Sequence, residues 1–296
     1  MRFDLRTFQL FLAVVEESSI TKGAARVHLA ASAASRRVAE LEEALGATLV
    51  HRTPAGVTPT VAGLSVLHHA QAMFRSLADM RSEVDEFSAG ATGIVRVWAS
   101  LSAVVQFLPE DVAAFRRHHP AIAIDLREAL SADIVRGVAD GRGDIGIVSP
   151  TPGTEHLQVQ PYRSDRLVVV LPAAHPLAGA ARLRFDDLLG HDLVGLPAGS
   201  SLDARLREAA AAADRPIRVA VQVGSFDAAC RMVHAGVGLA VMPSGVVALH
   251  APGLDVATVP LDEPWAERTV SLCTRHGDMS PAARLFLAHL QSRARA

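Results

Sequence analysis

Residues 20–63 contain a pattern that only a few small folds can accommodate. Two short segments with apolar faces are separated by a turn of about four residues, the spacing of a helix-turn-helix unit. In the second segment, four apolar residues recur at helical spacing and define one inward face: Ala34, Val38, Leu41 and Leu45. The second helix of such a unit enters the major groove of DNA. The pattern therefore predicts a unit that binds double-stranded DNA.

Small and basic residues occupy the front of the second helix. Hydroxyls and small side chains let the backbone approach DNA closely, and guanidinium groups bind phosphate or guanine. We expect DNA contacts from seven residues: Lys22, Ser32, Ala33, Ser35, Arg36, Arg37 and Arg52. Arg52 lies at the base of a predicted hairpin, 49–52 and 57–59, which would form a wing. The alternative for Arg52 is a solvated side chain without a DNA partner.

The stretch 60–89 contains no proline and repeats apolar residues alternately four and three positions apart. The repeat has seven positions: Val66, Ala70, Met73, Leu77, Met80, Val84 and Phe87. This heptad period is typical of a two-stranded coiled coil, in which the apolar seam is buried against a second copy. We therefore expect a homodimer whose two DNA-binding units lie over successive half-sites. The alternative is a single helix packed on its own domain. Residues 88–93 are predicted to form a hinge.

From residue 94 onward, strand-like and helix-like segments alternate, which predicts parallel α/β units. Strands are expected at 94–99, 122–126, 145–148, 167–171, 217–223, 239–242 and 270–274. Helices are expected at 103–118, 132–140, 202–213, 227–235 and 280–293.

The chain resembles the LysR-type transcriptional regulators along its whole length. Near the amino terminus the resemblance rests on Ala24-Ala25, Ser35-Arg36, Leu41-Glu42, Leu45-Gly46, Leu49, Arg52 and Thr60-Val-Ala-Gly63. Further on it rests on Phe107-Leu-Pro, residues 115–120, Gly141-Arg-Gly-Asp-Ile-Gly146, Ala174-His-Pro-Leu-Ala178 and Gly236-Val-Gly-Leu-Ala-Val-Met-Pro243. Each motif is weak by itself, but their common order and spacing make the resemblance strong.

The resemblance implies three parts. These are a winged helix-turn-helix at 1–60, a coiled-coil linker helix with hinge at 61–90, and an effector-binding domain at 91–296. The last part would have the two-lobed α/β fold of periplasmic solute-binding proteins. One lobe would take residues 94–161 and 267–296, and the other 162–266, with two crossovers acting as hinge strands.

One departure from the family concerns the turn into the recognition helix. Members commonly carry a serine or threonine followed by a glutamine there, whereas this chain has Ala30 and Ala31. The amide that would read a base is therefore missing. Specificity would rest instead on Arg36, on methyl contacts from Ala31 or Ala33 to thymine, and on DNA shape.

Serines cluster where predicted strands end and helices begin. In a two-lobed fold these positions face the cleft, and the free N–H groups of helix starts favour an anion. We expect effector contacts from six of them: Ser100, Ser102, Ser149, Ser200, Ser201 and Ser225. Taken singly, each is more simply an ordinary helix cap. Their shared location predicts a small, anionic metabolite in the cleft.

Other classes of protein fit the sequence less well. Cys230 and Cys273 lie in apolar surroundings, which favours buried thiols over a disulfide framework, a zinc site or a redox switch. The GxGxxG match at 141–146 follows a predicted helix and opens a strand, the reverse of a dinucleotide loop. The histidine pairs at 68–69 and 118–119 point in different directions on helices. We therefore expect no catalytic residues, no metal and no cofactor.

Charge and hydropathy set further limits. The net charge of −2 argues against non-specific binding of polyanions, and basic residues gather around the recognition helix and wing. No apolar run approaches the roughly 20 residues of a membrane helix, and the start lacks the pattern of a signal peptide. A cytoplasmic protein without a membrane partner is therefore expected.

Together these features predict a transcriptional regulator rather than an enzyme. It would bind DNA as a homodimer and respond to a small-molecule effector. The resemblance further implies a dimer of dimers, that is a homotetramer, with RNA polymerase as a further candidate partner. The alternative is a solute-binding or enzymatic α/β module with an appended helical interaction domain. That module would show no sequence-selective DNA binding.

Overall fold

The computed structural model describes residues 4–53, 56–89, 92–149 and 151–294. The chain divides into two compact units, Met1–Val84 and Asp85–Ala296, and each is described by itself. No helix in these described ranges is both long and apolar enough to cross a membrane.

The first unit is a three-helix bundle followed by a strand pair and a long helix. Its elements are α1 (Leu5–Glu16), α2 (Ile20–Arg26), α3 (Ala31–Leu45), β1 (Val50–Thr53), β2 (Gly56–Pro59) and α4 (Val61–Ala89). Strands β1 and β2 are antiparallel and form the expected wing, although the turn residues 54–55 lie outside the described residues. The core packs the inward side of α3 against α1 and the wing, with Leu10, Phe11, Val14, Ala34, Val38, Leu41 and Leu49 fully or almost fully buried.

Side chains cap the first two helices of this unit. The Asp4 carboxylate accepts a hydrogen bond from the Thr7 N–H at 2.8 Å, and the Ser19 hydroxyl accepts one from the Lys22 N–H at 3.3 Å. Helix α3 ends at Gly46, which adopts a left-handed conformation with φ of 66° that glycine tolerates without strain. The boundary between α3 and the wing is fixed by Glu42. Its carboxylate accepts hydrogen bonds from the Leu49 and Val50 N–H groups at 2.7 and 3.1 Å.

Helix α4 is continuous over 29 residues, as the uninterrupted heptad pattern requires. Val66 packs on the core of the first unit, Ala70 is buried, and Met80 is about half exposed (52%). The side chains of Val84 and Phe87 lie outside the described residues. The predicted hinge at 88–93 is wrong in its bounds, because Ser88 and Ala89 complete α4 and Gly93 begins a strand; residues 90–91 are not described.

The second unit has two lobes joined by two long strands. The first lobe begins with β3 (Gly93–Ala99), α5 (Leu101–Gln106), α6 (Leu108–His118), β4 (Ile122–Glu128), α7 (Ser131–Ala139) and β5 (Ile145–Val148). Strand β6 (Gln158–Pro172) leads into the second lobe, and β11 (Glu267–Thr274) returns to the first, where α12 (Pro281–Ala294) closes the chain. Between them lie α8 (Phe185–Leu188), β7 (Asp192–Gly195), α9 (Ser201–Ala212), β8 (Arg218–Gln222), α10 (Phe226–His234), β9 (Ala240–Pro243), α11 (Ser244–His250) and β10 (Val256–Pro260).

The sheet is mixed, not purely parallel as the alternating pattern suggested. Its strand order is β10-β6-β11-β5-β3-β4, with β9 also paired to β6. Strands β4, β3 and β5 run parallel, but β11 is antiparallel to both β5 and β6. The sequence indicated only the apolar second half of β6, at 167–171. The first half is mostly polar, and it pairs with β11 along its length apart from a register shift between Val270 and Ser271.

The helix predicted at 103–118 is two helices, α5 and α6, broken at Phe107. Pro109 is responsible, because proline has no N–H to continue the hydrogen-bond ladder and its ring clashes with the preceding turn. The break turns α6 so that Leu108 and Phe115 enter the core of the first lobe, where they meet Phe286 of α12.

A buried carboxylate ties three elements of the first lobe together. Asp111 of α6 is 1% exposed and accepts hydrogen bonds from the Tyr162 hydroxyl of β6 and from Arg293 Nε of α12 at 2.7 Å. Burial, and next the hydrogen bond to Asp111, raise the pKa of Tyr162, so the phenol stays protonated and donates. These hydrogen bonds hold the carboxy-terminal helix α12 against α6 and β6 of the first lobe.

The hydrogen bonds of Glu42 yield a first prediction. In E42A, the Leu49 and Val50 N–H groups lose their acceptor, which costs about 1–3 kcal/mol for partly buried donors. Amide hydrogen exchange at these two positions should accelerate accordingly. The matched control is E43A, since Glu43 is exposed on the same helix. Equal protection in the two variants would show that Glu42 does not hold the wing.

Candidate DNA-binding surface and effector cleft

The exposed side of helix α3 carries most of the residues expected to contact DNA. Ala34 and Val38 face the core, and this places Ser32 and Arg36, one helical turn apart, on the opposite exposed face. Arg36 is 78% exposed, with only a long 3.7 Å approach to Glu40. Ala33 and Ser35 are half-buried at the sides of this face. The start of α3 therefore presents small side chains and one exposed guanidinium.

The wing and the recognition helix are linked by a hydrogen bond. Arg52 of β1 donates to the Ser35 hydroxyl at 3.0 Å while its side chain remains exposed. Two residues expected to contact DNA are thus brought together on one surface. Lys22 is exposed on α2, where its backbone N–H bonds the capping Ser19.

Arg37 has a different environment from the other expected DNA contacts. Its guanidinium lies 3.1 Å from the Asp4 carboxylate and 3.0 Å from the Thr7 hydroxyl, so it ties α3 to the start of α1. Hydrogen bonds from Thr7, and the weaker effect of Arg37, lower the pKa of Asp4. A DNA contact by Arg37 would have to compete with these bonds.

The cleft of the second unit contains two adjoining cavities. One of about 280 Å³, which we call the apolar compartment, is lined by Leu101, Leu130, Leu196, Leu202, Phe226 and Pro243 together with Ser100, Ser102, Ser131, Ser200, Ser201 and others. The other, of about 690 Å³, has Ser149, Thr151, Arg205, Glu208, Glu267 and Thr269 in its wall, and we call it the polar compartment. Ser131, Ser201, Leu202 and Arg268 border both.

Five of the six serines expected to contact an effector line these compartments. Ser100, Ser102, Ser200 and Ser201 face the apolar compartment, and Ser149 faces the polar one. Ser225 lines neither of the two. It is exposed, and its hydroxyl caps α10 by accepting the Ala228 N–H at 3.2 Å. Its neighbour Phe226 reaches the cleft instead.

Two buried hydroxyls in the cleft have no hydrogen-bond partner among the described residues, those of Ser131 and Ser149. They are 4% and 1% exposed, and leaving a buried hydroxyl unpaired costs about 1–3 kcal/mol. Ser131 was missed from the sequence because the predicted helix began at 132, one residue too late. It lies at the start of the helix that follows β4, as Ser100 lies at the start of the helix that follows β3, so the rule that selected Ser100 applies to it as well.

The cation that borders both compartments is already neutralised by a carboxylate. Arg268 of β11 and Asp165 of β6 are cross-strand partners, joined by a bidentate ion pair with an Nε–Oδ1 distance of 2.7 Å. Both side chains are buried, at 9% and 3% exposure. The Gln106 amide donates to the second Asp165 oxygen at 3.3 Å. The charge of Arg268 is therefore neutralised by Asp165 on the neighbouring hinge strand.

The two thiols lie in separate hydrophobic clusters and are fully buried. Burial, and next the charge of Asp227, raise the pKa of Cys230, and burial raises the pKa of Cys273 to about 12. Within the described ranges, no group of three or more His, Cys, Asp or Glu side chains is placed to hold a metal ion.

A winged helix-turn-helix with an exposed recognition face, carried on one chain with a two-lobed α/β domain, defines the class of ligand-responsive DNA-binding regulators. The chain belongs to the LysR family of transcriptional regulators. Residues 5–64 match the "Bacterial regulatory helix-turn-helix protein, lysR family" and residues 88–295 the "LysR substrate binding domain". Membership assigns a DNA-binding regulator with an effector-binding domain rather than an enzyme, so the alternative of an enzymatic module is wrong.

Individual proteins extend the likeness over the full chain. The "RuBisCO operon transcriptional regulator" of Allochromatium vinosum is 27% identical over 295 residues, covering 99% of this chain and 97% of that protein. The solved structure of full-length CbnR with its target DNA has a TM-score of 0.74 at 20% identity and covers 98% of this chain and 100% of that one. The regulatory domain of Synechocystis CcmR, solved with 2-PG, has a TM-score of 0.63 at 22% identity and covers 68% of this chain and 97% of that one.

The environments of Arg36 and Arg37 predict different effects of substitution. If Arg36 reads a base, R36A should weaken specific DNA binding by about 1–3 kcal/mol. If Arg36 binds a phosphate, R36A should reduce the slope of log affinity against log salt concentration by about one. R37A should instead lower the thermal stability of the first unit, since the bonds to Asp4 and Thr7 are lost. Titrations of labelled DNA at several salt concentrations and thermal unfolding separate the two. Unchanged binding by R36A would remove it from the interface.

The thiols yield a third prediction. Because both are buried and protonated at neutral pH, iodoacetamide should leave them unmodified in the folded protein and alkylate both in denaturant. Hydrogen peroxide should not change DNA binding. Rapid alkylation of either cysteine under native conditions would reopen the redox interpretation.

Proposed function

We propose that this protein binds operator DNA as a homodimer, or as a dimer of dimers, and that a small anionic metabolite bound between the lobes of the second unit switches its activity. It acts in the cytoplasm, where it alters the access of RNA polymerase to nearby promoters. The observation that carries the proposal is the exposed face of α3 with Arg36 and the linked Arg52, in a chain that also holds a cleft with unpaired hydroxyls.

The first part of the proposal, DNA binding, rests on the shape and charge of the exposed face of α3. Ser32 and the alanines at the start of α3 allow close approach to the major groove, while Arg36 reaches a base edge or a phosphate. Arg52 and Lys22 bind the backbone on either side. Helix α3 begins at Ala31, and Ala30 before it provides no side-chain cap, which leaves the first N–H groups of the helix available to a DNA phosphate.

The second part of the proposal, dimer formation, rests on helix α4. Its heptad positions continue through Met80, which is about half exposed (52%) and would be covered by the same helix of a second copy. Two paired copies read two half-sites, so the operator should be an inverted repeat.

The third part of the proposal, the switch, rests on the hinge strands. Strands β6 and β11 connect the lobes, so a ligand that bridges the lobes favours one lobe arrangement over another. A preference of a few kcal/mol between two arrangements is enough to change which one dominates. In the solved CcmR domain with 2-PG, a two-lobed domain of this fold holds a small molecule. That likeness supports the proposal that the effector of this protein binds in the cleft.

Selection of bound sequences from a random DNA pool, at two salt concentrations, tests the proposed DNA binding and the proposed dimer. We expect an inverted repeat whose half-sites lie about one helical turn or more apart, and an affinity that falls steeply with salt. The matched control is a variant with R36A and R52A combined, which should enrich no motif. Weak binding of the unaltered protein with no enriched sequence would contradict the proposal.

A further inference from the structure

We infer that the effector is an amphipathic monocarboxylate, with its hydrocarbon body in the apolar compartment and its carboxylate at Ser131, and that the cleft rejects dianions. This inference rests on the proposed function, since it names the class of molecule that the proposed effector site takes. It depends on three independent features of the cleft.

The first feature is the wall of the apolar compartment. Seven leucine, phenylalanine and proline side chains line it, and they come from both lobes. Its volume of about 280 Å³ is about twice the ~150 Å³ cavity that accepts benzene in an engineered apolar core. A body the size of a phenyl ring or a chain of about six carbons therefore fits, and its transfer from water is favourable.

The second feature is the position of the unpaired hydroxyls. Ser131 borders both compartments, and Ser149 lies on the polar side. Both are more than nine-tenths buried and lack a partner among the described residues. Ser131 is also the first residue of α7, a nine-residue helix that begins without a side-chain cap. A carboxylate placed at this border accepts a hydrogen bond from Ser131 and faces the positive end of the helix dipole.

The third feature is the charge of the cleft. Among the described lining residues of the two compartments, the cationic side chains are Arg268 and Arg205. Arg268 is held by Asp165, and Arg205 lies 2.8 Å from Glu208. Glu128 and Glu267 add negative charge to the lining. A second carboxylate or a phosphate would thus enter an apolar or acidic environment without an unpaired cation to receive it, which is unfavourable.

Pairs of acids that differ by one carboxylate test the inference on the full chain. Isothermal titration at millimolar concentration compares hexanoate with adipate and benzoate with terephthalate. Propanoate tests the need for a hydrocarbon body, and inorganic phosphate tests a compact dianion. We expect hexanoate and benzoate to bind at least about tenfold more tightly than adipate, terephthalate, propanoate and phosphate. An equal or reversed order, or binding by none of the six, overturns the inference.

Two substitutions locate the groups responsible. S131A should weaken hexanoate binding about tenfold, whereas S225A, a serine outside both compartments, should leave it unchanged. D165N removes the charge that neutralises Arg268, so the preference for hexanoate over adipate should shrink or reverse. A merely structural role of Asp165 would lower both affinities alike, and that outcome contradicts the role of charge compensation. Thermal unfolding of each variant checks that it is folded.

The DNA selection described above separates the two levels of failure. If the protein selects an operator but shows none of the expected acid preferences, the effector class inferred here is wrong and the regulator remains. If no operator is selected, the proposed function fails, whatever the acids do.

Discussion

The second unit depends on the antiparallel pairing of β6 with β11. These strands carry the chain out of the first lobe and back into it, and each hydrogen bond between them restrains the lobes relative to one another. The buried pair of Asp165 and Arg268 lies within this ladder and beside the cleft. Buried ion pairs contribute little net stability but fix geometry, because breaking them leaves an uncompensated charge. The same contact that holds the two hinge strands together therefore also neutralises Arg268, a cation that borders both compartments of the cleft.

Much of the architecture could be predicted because its signals are local. The inward face of α3 as far as Leu41, the continuous helix α4 and the apolar strands β3 and β5 follow from residue spacing alone. Leu45, the last position predicted to face inward, is instead 40% exposed. The polar half of β6 could not be found this way, since a hinge strand with one exposed side lacks a continuous apolar run. The break between α5 and α6 was missed, although Pro109 marks it.

The candidate sites show the same division. Ser100, Ser102 and Ser149 were identified because strand ends meet in a cleft, and they do lie in its wall. Ser225 was selected by the same rule but remains an ordinary cap, and Ser131 was lost to a helix boundary misplaced by one residue. Asp165 and Arg268 are far apart in sequence, 103 positions, and nothing local marks them as partners. Residues whose role comes from a tertiary contact are beyond pattern reasoning.

The alanines at the start of the recognition helix have a consequence for how information is distributed over an operator. A base-reading side chain penalises each wrong base pair by about 1–3 kcal/mol. With Ala30 and Ala31 in place of hydrogen-bonding residues, each half-site supplies fewer such penalties. In the proposed homodimer, isolated half-sites across a genome would then be weakly discriminated, and selectivity would come from requiring two half-sites at a fixed separation. For such a protein, the separation of the two half-sites would identify an operator better than the base sequence within either half-site.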